Sequence, residues 1–381
     1  MSNNLKVFGS PEKYVQGSDA TAFIGEEMKK LGLKSPVVVV SSQTPYKLLH
    51  EKWEKSLEAN GYDFTYLPFG GICTSKEADK IAQVAKNADA KTLIAFGGGQ
   101  VIDAVRSASV LSDCEFVSCP SIASTDAPCS TLCVMYHEDH SFQEYRFTKR
   151  HPTLVLVDTR VVALAPRRML VGGIGDALAT WFEARSVREA NAKNFLGGKQ
   201  TETGLALSKL CYETLMNDGV AAARDVEVDA ITPALERVVE ANTLLSGLGF
   251  ESGGLCIAHA VHNGLTTQPQ CANYTHGEKV AFGLVTQLVL EGRPQEELKR
   301  VLKFCYDVQL PITLKAVGID STDTNAIRQI AERATVEGET SHNGLFPVNA
   351  EILADAIRAA DYCGQNFEKN HAREQCNPQA V

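Results

Sequence analysis

At 381 residues the chain exceeds the ~100–200 residues of one typical domain, so two domains are expected. Its 37 basic against 46 acidic residues give a net charge of −9, which argues against a nucleic-acid or anionic-membrane surface. Hydrophobic residues at 44% and charged residues at 22% are the values of a packed globular protein and exclude a disordered one. The eleven cysteines are odd in number, scattered and without a Cys-x-x-Cys pair, so neither a disulfide framework nor a thiolate metal site is expected. They read as reduced, mostly buried residues of a cytoplasmic protein, and any metal should be held by oxygen and imidazole. Residues 1–16 carry no apolar signal region, and nowhere do ~18 apolar residues run together, so neither secretion nor a membrane span is expected.

In chain order, Val37-Val38-Val39-Val40, Phe64-Thr65-Tyr66-Leu67 and Thr92-Leu93-Ile94-Ala95-Phe96 read as buried strands. Amphipathic stretches at 46–60 and 75–87 separate them, and further strands are predicted at 116–118 and 154–157. Strand alternating with helix predicts a parallel sheet covered by helices. From Pro166 onward the pattern is helical, over 169–190, 201–216, 234–248, 277–290, 295–306, 325–337 and 349–367. The fold class expected is therefore α/β plus all-α. A Rossmann-like parallel-sheet domain over residues 1–162 precedes a helical-bundle domain over 163–381, with the active site in the cleft between them.

Gly97-Gly98-Gly99-Gln100 follows a strand and opens the helical run Val101-Ile102-Asp103-Ala104-Val105. Glycines there let the backbone approach a phosphate while the helix start offers free N–H donors, although the spacing is neither G-x-G-x-x-G nor a P-loop. The alternative is a tight turn without ligand. A hydroxyl-rich loop, residues 120–130, follows the next strand and contains Asp126.

In the helical half, Asp176 sits in Gly172-Gly173-Ile174-Gly175-Asp176-Ala177-Leu178-Ala179, which reads as a helix start. His259 and His262 lie one turn apart, and His276 opens the next helix. A carboxylate among apolar residues is costly to bury alone, so Asp176 is expected to face a cation or a polar cleft. One oxygen and two imidazoles form a zinc- or iron-type set. Each residue also has a structural alternative, Asp176 as a helix N-cap and the histidines as hydrogen-bonded core residues.

At these residues the sequence resembles the glycerol dehydrogenases of the iron-containing, group III, alcohol dehydrogenase superfamily, over nearly the whole chain. The matching runs are Pro11-Glu12-Lys13-Tyr14-Val15-Gln16-Gly17, Ala123-Ser124-Thr125-Asp126-Ala127-Pro128, Gly175-Asp176-Ala177-Leu178-Ala179-Thr180-Trp181, Ser246-Gly247-Leu248-Gly249-Phe250-Glu251-Ser252-Gly253-Gly254 and Thr275-His276-Gly277-Glu278-Lys279-Val280-Ala281-Phe282-Gly283. The resemblance implies one zinc ion per subunit on Asp176, His259 and His276, with His262 nearby but not a ligand. Asp176 as the only carboxylate ligand would leave the centre net positive. The resemblance also implies a substrate-contacting Asp126 and an NAD pyrophosphate on Gly97, Gly98, Gly99 and the helix start at Gln100, Val101 and Asp103. Ser121, Ser130, Leu132 and Tyr136 would line the rest of the cofactor groove. Eight-subunit assembly is usual in the family.

Two residues depart from the family pattern. Ser42 stands where relatives place an aspartate for the adenine ribose, and Gln100 stands where they place a lysine, which weakens the case for NAD over NADP. The expected activity is oxidation of the C2 hydroxyl of glycerol to dihydroxyacetone with hydride transfer to NAD. The alternative is an iron- or zinc-dependent dehydrogenase of another diol or polyol, with NADP as an open option; iron-type members generally present an additional histidine ligand, for which His262 or His342 could be mistaken. A lyase branch of the superfamily would need clustered basic residues around Asp126, Asp176 and His259, and there are none.

Overall fold

The computed structural model describes residues 4–139 and 142–376, with side chains through Arg373; the Cys376 side chain lies outside the described residues. Strand β1 (Lys13–Gly17) and helix α1 (Ile24–Lys30) lead into β2 (Val37–Ser41), whose four valines are wholly buried. Helix α2 (Gln43–Ala59), β3 (Phe64–Pro68), α3 (Ser75–Asn87), β4 (Thr92–Gly97), α4 (Gly99–Ser112) and β5 (Glu115–Pro120) continue the expected alternation. A hairpin follows, β6 (Leu132–Tyr136) with β7 (Phe142–Phe147), and then β8 (Leu154–Asp158). Six strands form one parallel sheet in the order β1-β8-β5-β4-β2-β3. Val39 pairs with Tyr66 on one side and Ile94 on the other, so β2 is an interior strand, and all five of its residues are buried, so both of its faces are covered, as its unbroken β-branched run requires.

Helices occupy the remainder: α5 (Thr159–Ala163), α6 (Arg167–Glu189), α7 (Glu202–Asp225), α8 (Pro233–Glu240), α9 (Ser246–Gly253), α10 (Ile257–Leu265), α11 (His276–Leu290), α12 (Gln295–Val308), α13 (Thr324–Arg333) and α14 (Ala350–Cys376). The helix predicted over 234–248 is interrupted by a π-helical turn at Ala241–Leu245. No single helix among the described residues is long and apolar enough to cross a membrane. Of the ten described cysteines eight are buried, and none is in a disulfide.

The chain divides into two compact units, and neither is contiguous in sequence. One holds residues 9–170 and 224–248, the other residues through 8, 171–223 and 249–381, in place of the contiguous division at 162/163. Residues 224–248 join the sheet because their polar groups bond there. The Gln16 amide donates to the Glu236 carbonyl at 2.8 Å, the Thr159 hydroxyl to Glu236 Oε1 at 2.7 Å, and Asn242 to the Ala123 carbonyl at 3.0 Å. The N-terminal residues join the helical unit through backbone bonds of Val7 and Leu5 to Lys199 at 3.0 and 2.8 Å.

Inside the sheet-bearing unit, Arg106 of α4 is 1% exposed. Its guanidinium donates to Asp103 Oδ1 at 2.7 Å, to the Leu132 carbonyl at 2.6 Å and to the Ala127 carbonyl, while Asp103 Oδ2 accepts from the Val134 N–H at 3.0 Å. Burial pushes the Asp103 carboxyl up to about 6, against the pull of Arg106 and the Val134 N–H. One buried ion pair thus pins residues 127–134 onto α4. Removing one partner strands the other charge in the core, so Arg106→Met should destabilise the protein by about 3–5 kcal/mol, read from urea unfolding. A loss below about 1 kcal/mol would mean that water reaches the pair.

Candidate metal centre and cofactor turn

Asp176 lies in the middle of α6 and not at a helix start. Its glycine-rich approach reads in sequence as a helix start, yet those glycines lie within the helix and permit a backbone contact. A Cβ on Gly277 would fall 1.7 Å from the Gly172 carbonyl oxygen, and one on Gly175 would fall 2.4 Å from the Gly277 carbonyl oxygen. Helices α6 and α11 therefore touch backbone to backbone at the position where Asp176 faces His276. His276 is the first residue of α11, which Thr275 and Glu278 cap reciprocally: the Glu278 N–H donates to Thr275 Oγ1 at 3.3 Å and the Thr275 N–H to Glu278 Oε2 at 2.6 Å. His259 projects from the first turn of α10.

Asp176 Oδ1 lies 3.2 Å from His259 Nε2 and 3.0 Å from His276 Nε2, and one donor atom of each residue falls within 4.8 Å of the others. Asp176 is 1% and His259 9% exposed, whereas His276 is half-buried. Burial opposes ionisation of Asp176, but His276 and His259 outweigh it and hold the carboxyl well below the usual carboxylate range. Burial likewise disfavours the charged form of His259, but Glu183 and Asp176 hold it well above an ordinary imidazole. An imidazole proton fills each short O···N gap, and a dication would replace it. The cluster suits a borderline-soft cation with nitrogen and oxygen ligands.

Glu183 is the residue that sequence reasoning missed. It is wholly buried, its Oε2 lies 2.6 Å from His259 Nδ1, and its Oε1 accepts from the Cys256 and His259 N–H groups at 2.8 and 3.0 Å. The signal was present: Glu183 follows Asp176 by seven residues, two turns along the same helix face. Glu183 adds a second carboxylate behind His259, outside the donor cluster, so Asp176 remains the one carboxylate in it. His262 stands beside the cluster, its Nε2 2.9 Å from His276 Nδ1. Burial, with His276 and Lys279 beside it, holds the His262 imidazole well below its ordinary pKa. His342 is exposed, its Nε2 bonded to the Val336 carbonyl at 3.0 Å and outside the cluster.

In the other unit, the triple glycine joins β4 to α4 as predicted. A Cβ on Gly97 would lie 2.4 Å from Val101 Cγ2 and one on Gly98 2.9 Å from Ile122, while Gly99 has nothing nearer than Thr125 Oγ1 at 3.5 Å. The Ser121 N–H donates to the Gly97 carbonyl at 3.0 Å and the Ser42 N–H to the Phe96 carbonyl at 3.3 Å, which puts both serines at the C-terminal edge of the sheet. Gln100 Oε1 accepts from the Cys73 N–H at 3.1 Å and the Cys73 carbonyl accepts from the Tyr136 N–H at 2.9 Å, so Gln100 and Tyr136 share one neighbour. Leu132 is half-buried. Three candidates turn inward: Val101 packs on Gly97, Asp103 is held by Arg106, and the Ser130 hydroxyl bonds the Ala127 carbonyl at 3.3 Å. Asp126 is half-buried, and its Oδ2 accepts from the Ser246 hydroxyl at 2.7 Å, directly after the π-helical turn.

Known proteins agree with this architecture. Residues 11–159 match the sequence profile of iron-containing alcohol dehydrogenases. A glycerol dehydrogenase of Escherichia coli is 44% identical over 95% of this chain and 98% of its own, and a glycolaldehyde reductase of Halobacterium salinarum is 42% identical over 94% and 98%. The crystal structure of glycerol dehydrogenase from Schizosaccharomyces pombe superposes with a TM-score of 0.93 at 36% identity, over 97% of this chain and 94% of that one. The chain belongs to the iron-containing alcohol dehydrogenase family, alongside its glycerol dehydrogenases, and is an oxidoreductase acting on CH–OH groups.

The contact at Gly277 sets a sharp test. Gly277→Ala must push α6 and α11 apart, so it should cost at least about 1–3 kcal/mol of stability and weaken metal retention. Unfolding midpoints and metal content after dialysis measure both, and unchanged metal content would show that the contact does not set the donor spacing.

Proposed function

We propose that the chain is a zinc-dependent glycerol dehydrogenase, in which glycerol and NAD give dihydroxyacetone, NADH and a proton. The observation that carries the reading is the convergence of Asp176 Oδ1 with His259 Nε2 and His276 Nε2, each imidazole already engaged at its other nitrogen. The 44% identity to the Escherichia coli glycerol dehydrogenase supports the substrate. Asp176, His259 and His276 would hold the metal. When bound, zinc supplies Lewis-acid stabilisation of the negative charge that develops on the oxidised hydroxyl oxygen.

The remaining work falls to the chain. Glu183 orients His259 and raises its basicity. Asp126, steadied by the Ser246 hydroxyl, orients a substrate hydroxyl. Gly97, Gly98 and Gly99 bring backbone and the start of α4 against the cofactor pyrophosphate, because side chains at the first two would collide with Val101 and Ile122. Ser121, Leu132 and Tyr136 border the groove, and Val101, Asp103 and Ser130 support it from within. Ser42 takes the ribose position without the family's carboxylate, so NADP is admitted alongside NAD. On the family resemblance we place the enzyme in the cytoplasm as a homo-octamer.

The 42% identity to a glycolaldehyde reductase favours a second reading, reduction of a small 2-hydroxyaldehyde by the same site. Comparing glycerol oxidation with glycolaldehyde reduction at matched cofactor concentration ranks the two.

Chelation should abolish NADH formation from glycerol and zinc should restore it, while Asp176→Asn should lose bound zinc and turnover together with its circular dichroism intact. Full turnover by metal-stripped protein would sink the reading. Ser42→Asp should raise the NAD-to-NADP ratio of kcat/KM by on the order of tenfold, because a carboxylate pairs with the 2′-hydroxyl and repels a 2′-phosphate. An unchanged ratio would place ribose recognition elsewhere.

A further inference from the structure

An imidazole holds a cation through Nε2 only when its proton sits on Nδ1. For His259 the lock is direct, because Glu183 Oε2, which can only accept, lies 2.6 Å from Nδ1. For His276 the neighbour is His262, 2.9 Å away, and a histidine nitrogen can donate or accept, so this contact alone decides nothing.

The decision is made further out. Arg333 donates to Glu339 Oε2 at 2.5 Å, an ion pair in which the carboxylate oxygens only accept. Glu339 Oε1 lies 3.1 Å from Asn263 Nδ2 and also accepts from the Thr340 N–H at 2.9 Å. A carboxylate there forces Asn263 to turn its NH2 toward Glu339 and its carbonyl oxygen toward His262. Asn263 Oδ1, 3.1 Å from His262 Nδ1, then accepts from that nitrogen. The His262 proton is fixed on Nδ1, and its Nε2 lone pair accepts from His276 Nδ1–H. Once a cation displaces the proton between His276 Nε2 and Asp176 Oδ1, His276 Nε2 is left with the lone pair that holds it. Asn263 and Glu339 are 7% and 8% exposed, so water competes little for these bonds.

We propose that Asn263 and Glu339, held by Arg333, are positioning residues for the metal centre that fix the tautomer of His262 and, through it, that of His276. The inference rests on the metal reading above. Its test is the zinc dissociation constant by equilibrium competition with a chromophoric chelator, together with the visible absorption of the cobalt(II)-substituted protein. Asn263→Leu should weaken zinc binding about 10- to 100-fold and shift the cobalt bands. Should that buried variant fail to fold, the pair His262→Leu and His262→Gln decides the matter. Leucine should show the same loss, and glutamine, whose side-chain oxygen accepts from His276 Nδ1–H, should recover most of it. Leucine variants that bind zinc within about twofold of the wild type, or a glutamine variant no better than leucine, overturn the proposal alone. A wild-type chain that takes up no stoichiometric zinc overturns the metal reading and this one with it.

Discussion

A carboxylate buried in the middle of a helix controls the architecture of the helical unit. Asp176 is 1% exposed, and the N–H groups of α6 around it are spent within the helix. Moving such an ion out of water costs several kcal/mol, which no apolar packing at that spot returns. Its partners must come from other helices, and they must come close. The imidazole of His276, 3.0 Å away, is brought in by α11 at backbone contact with α6, a contact that the glycines at 175 and 277 allow. A similar demand recurs between α10 and α11, where a Cβ on Gly283 would fall 2.2 Å from the Ala258 carbonyl oxygen. The small residues and the acid are therefore one feature.

Charge carries the argument further. Asp176 and Glu183 place two negative charges on one face of α6, with His259 between them. Protons on imidazole or a dication can satisfy the pair, and the two compete for the same gaps, so cation binding expels protons. Glu183 acts through an imidazole and not on the cation directly. It tempers the electrophilicity that a single carboxylate would leave, and in exchange it makes His259 a stronger and better oriented donor.

How much of this was legible in the sequence depended on whether the signal was local. The valine run of β2, the strands at 92–97 and 154–158 and the Gly97 turn were readable because burial on both faces and glycine punctuation are properties of a few consecutive residues. Strand β1 was missed because it is half-buried and polar, with nothing in Lys13 to Gly17 that announces pairing with β8. The hairpin of β6 and β7 was missed because its second strand is largely exposed. The position of Asp176 was misread for a physical reason: glycines that mark a helix start when read locally mark a helix crossing when the partner is a hundred residues away. The discontinuous units follow from side-chain bonds of Gln16, Thr159 and Asn242, which no periodicity encodes.

The same distance from sequence to contact explains how a matched motif should be interpreted. Asp103 and Asp176 are each a buried acid just beyond a glycine-rich stretch, on α4 and α6 respectively. One is matched by a guanidinium that also ties down the backbone at Ala127 and Leu132, and it ends as architecture. The other is matched by two imidazoles whose protons a cation can displace, and it ends as a candidate ligand. What separates them is the partner's chemistry: an arginine does not give up its proton near neutral pH, whereas a histidine does. Resemblance along the chain transfers the position of an acid, but only the group facing it decides whether that acid supports a site or forms one.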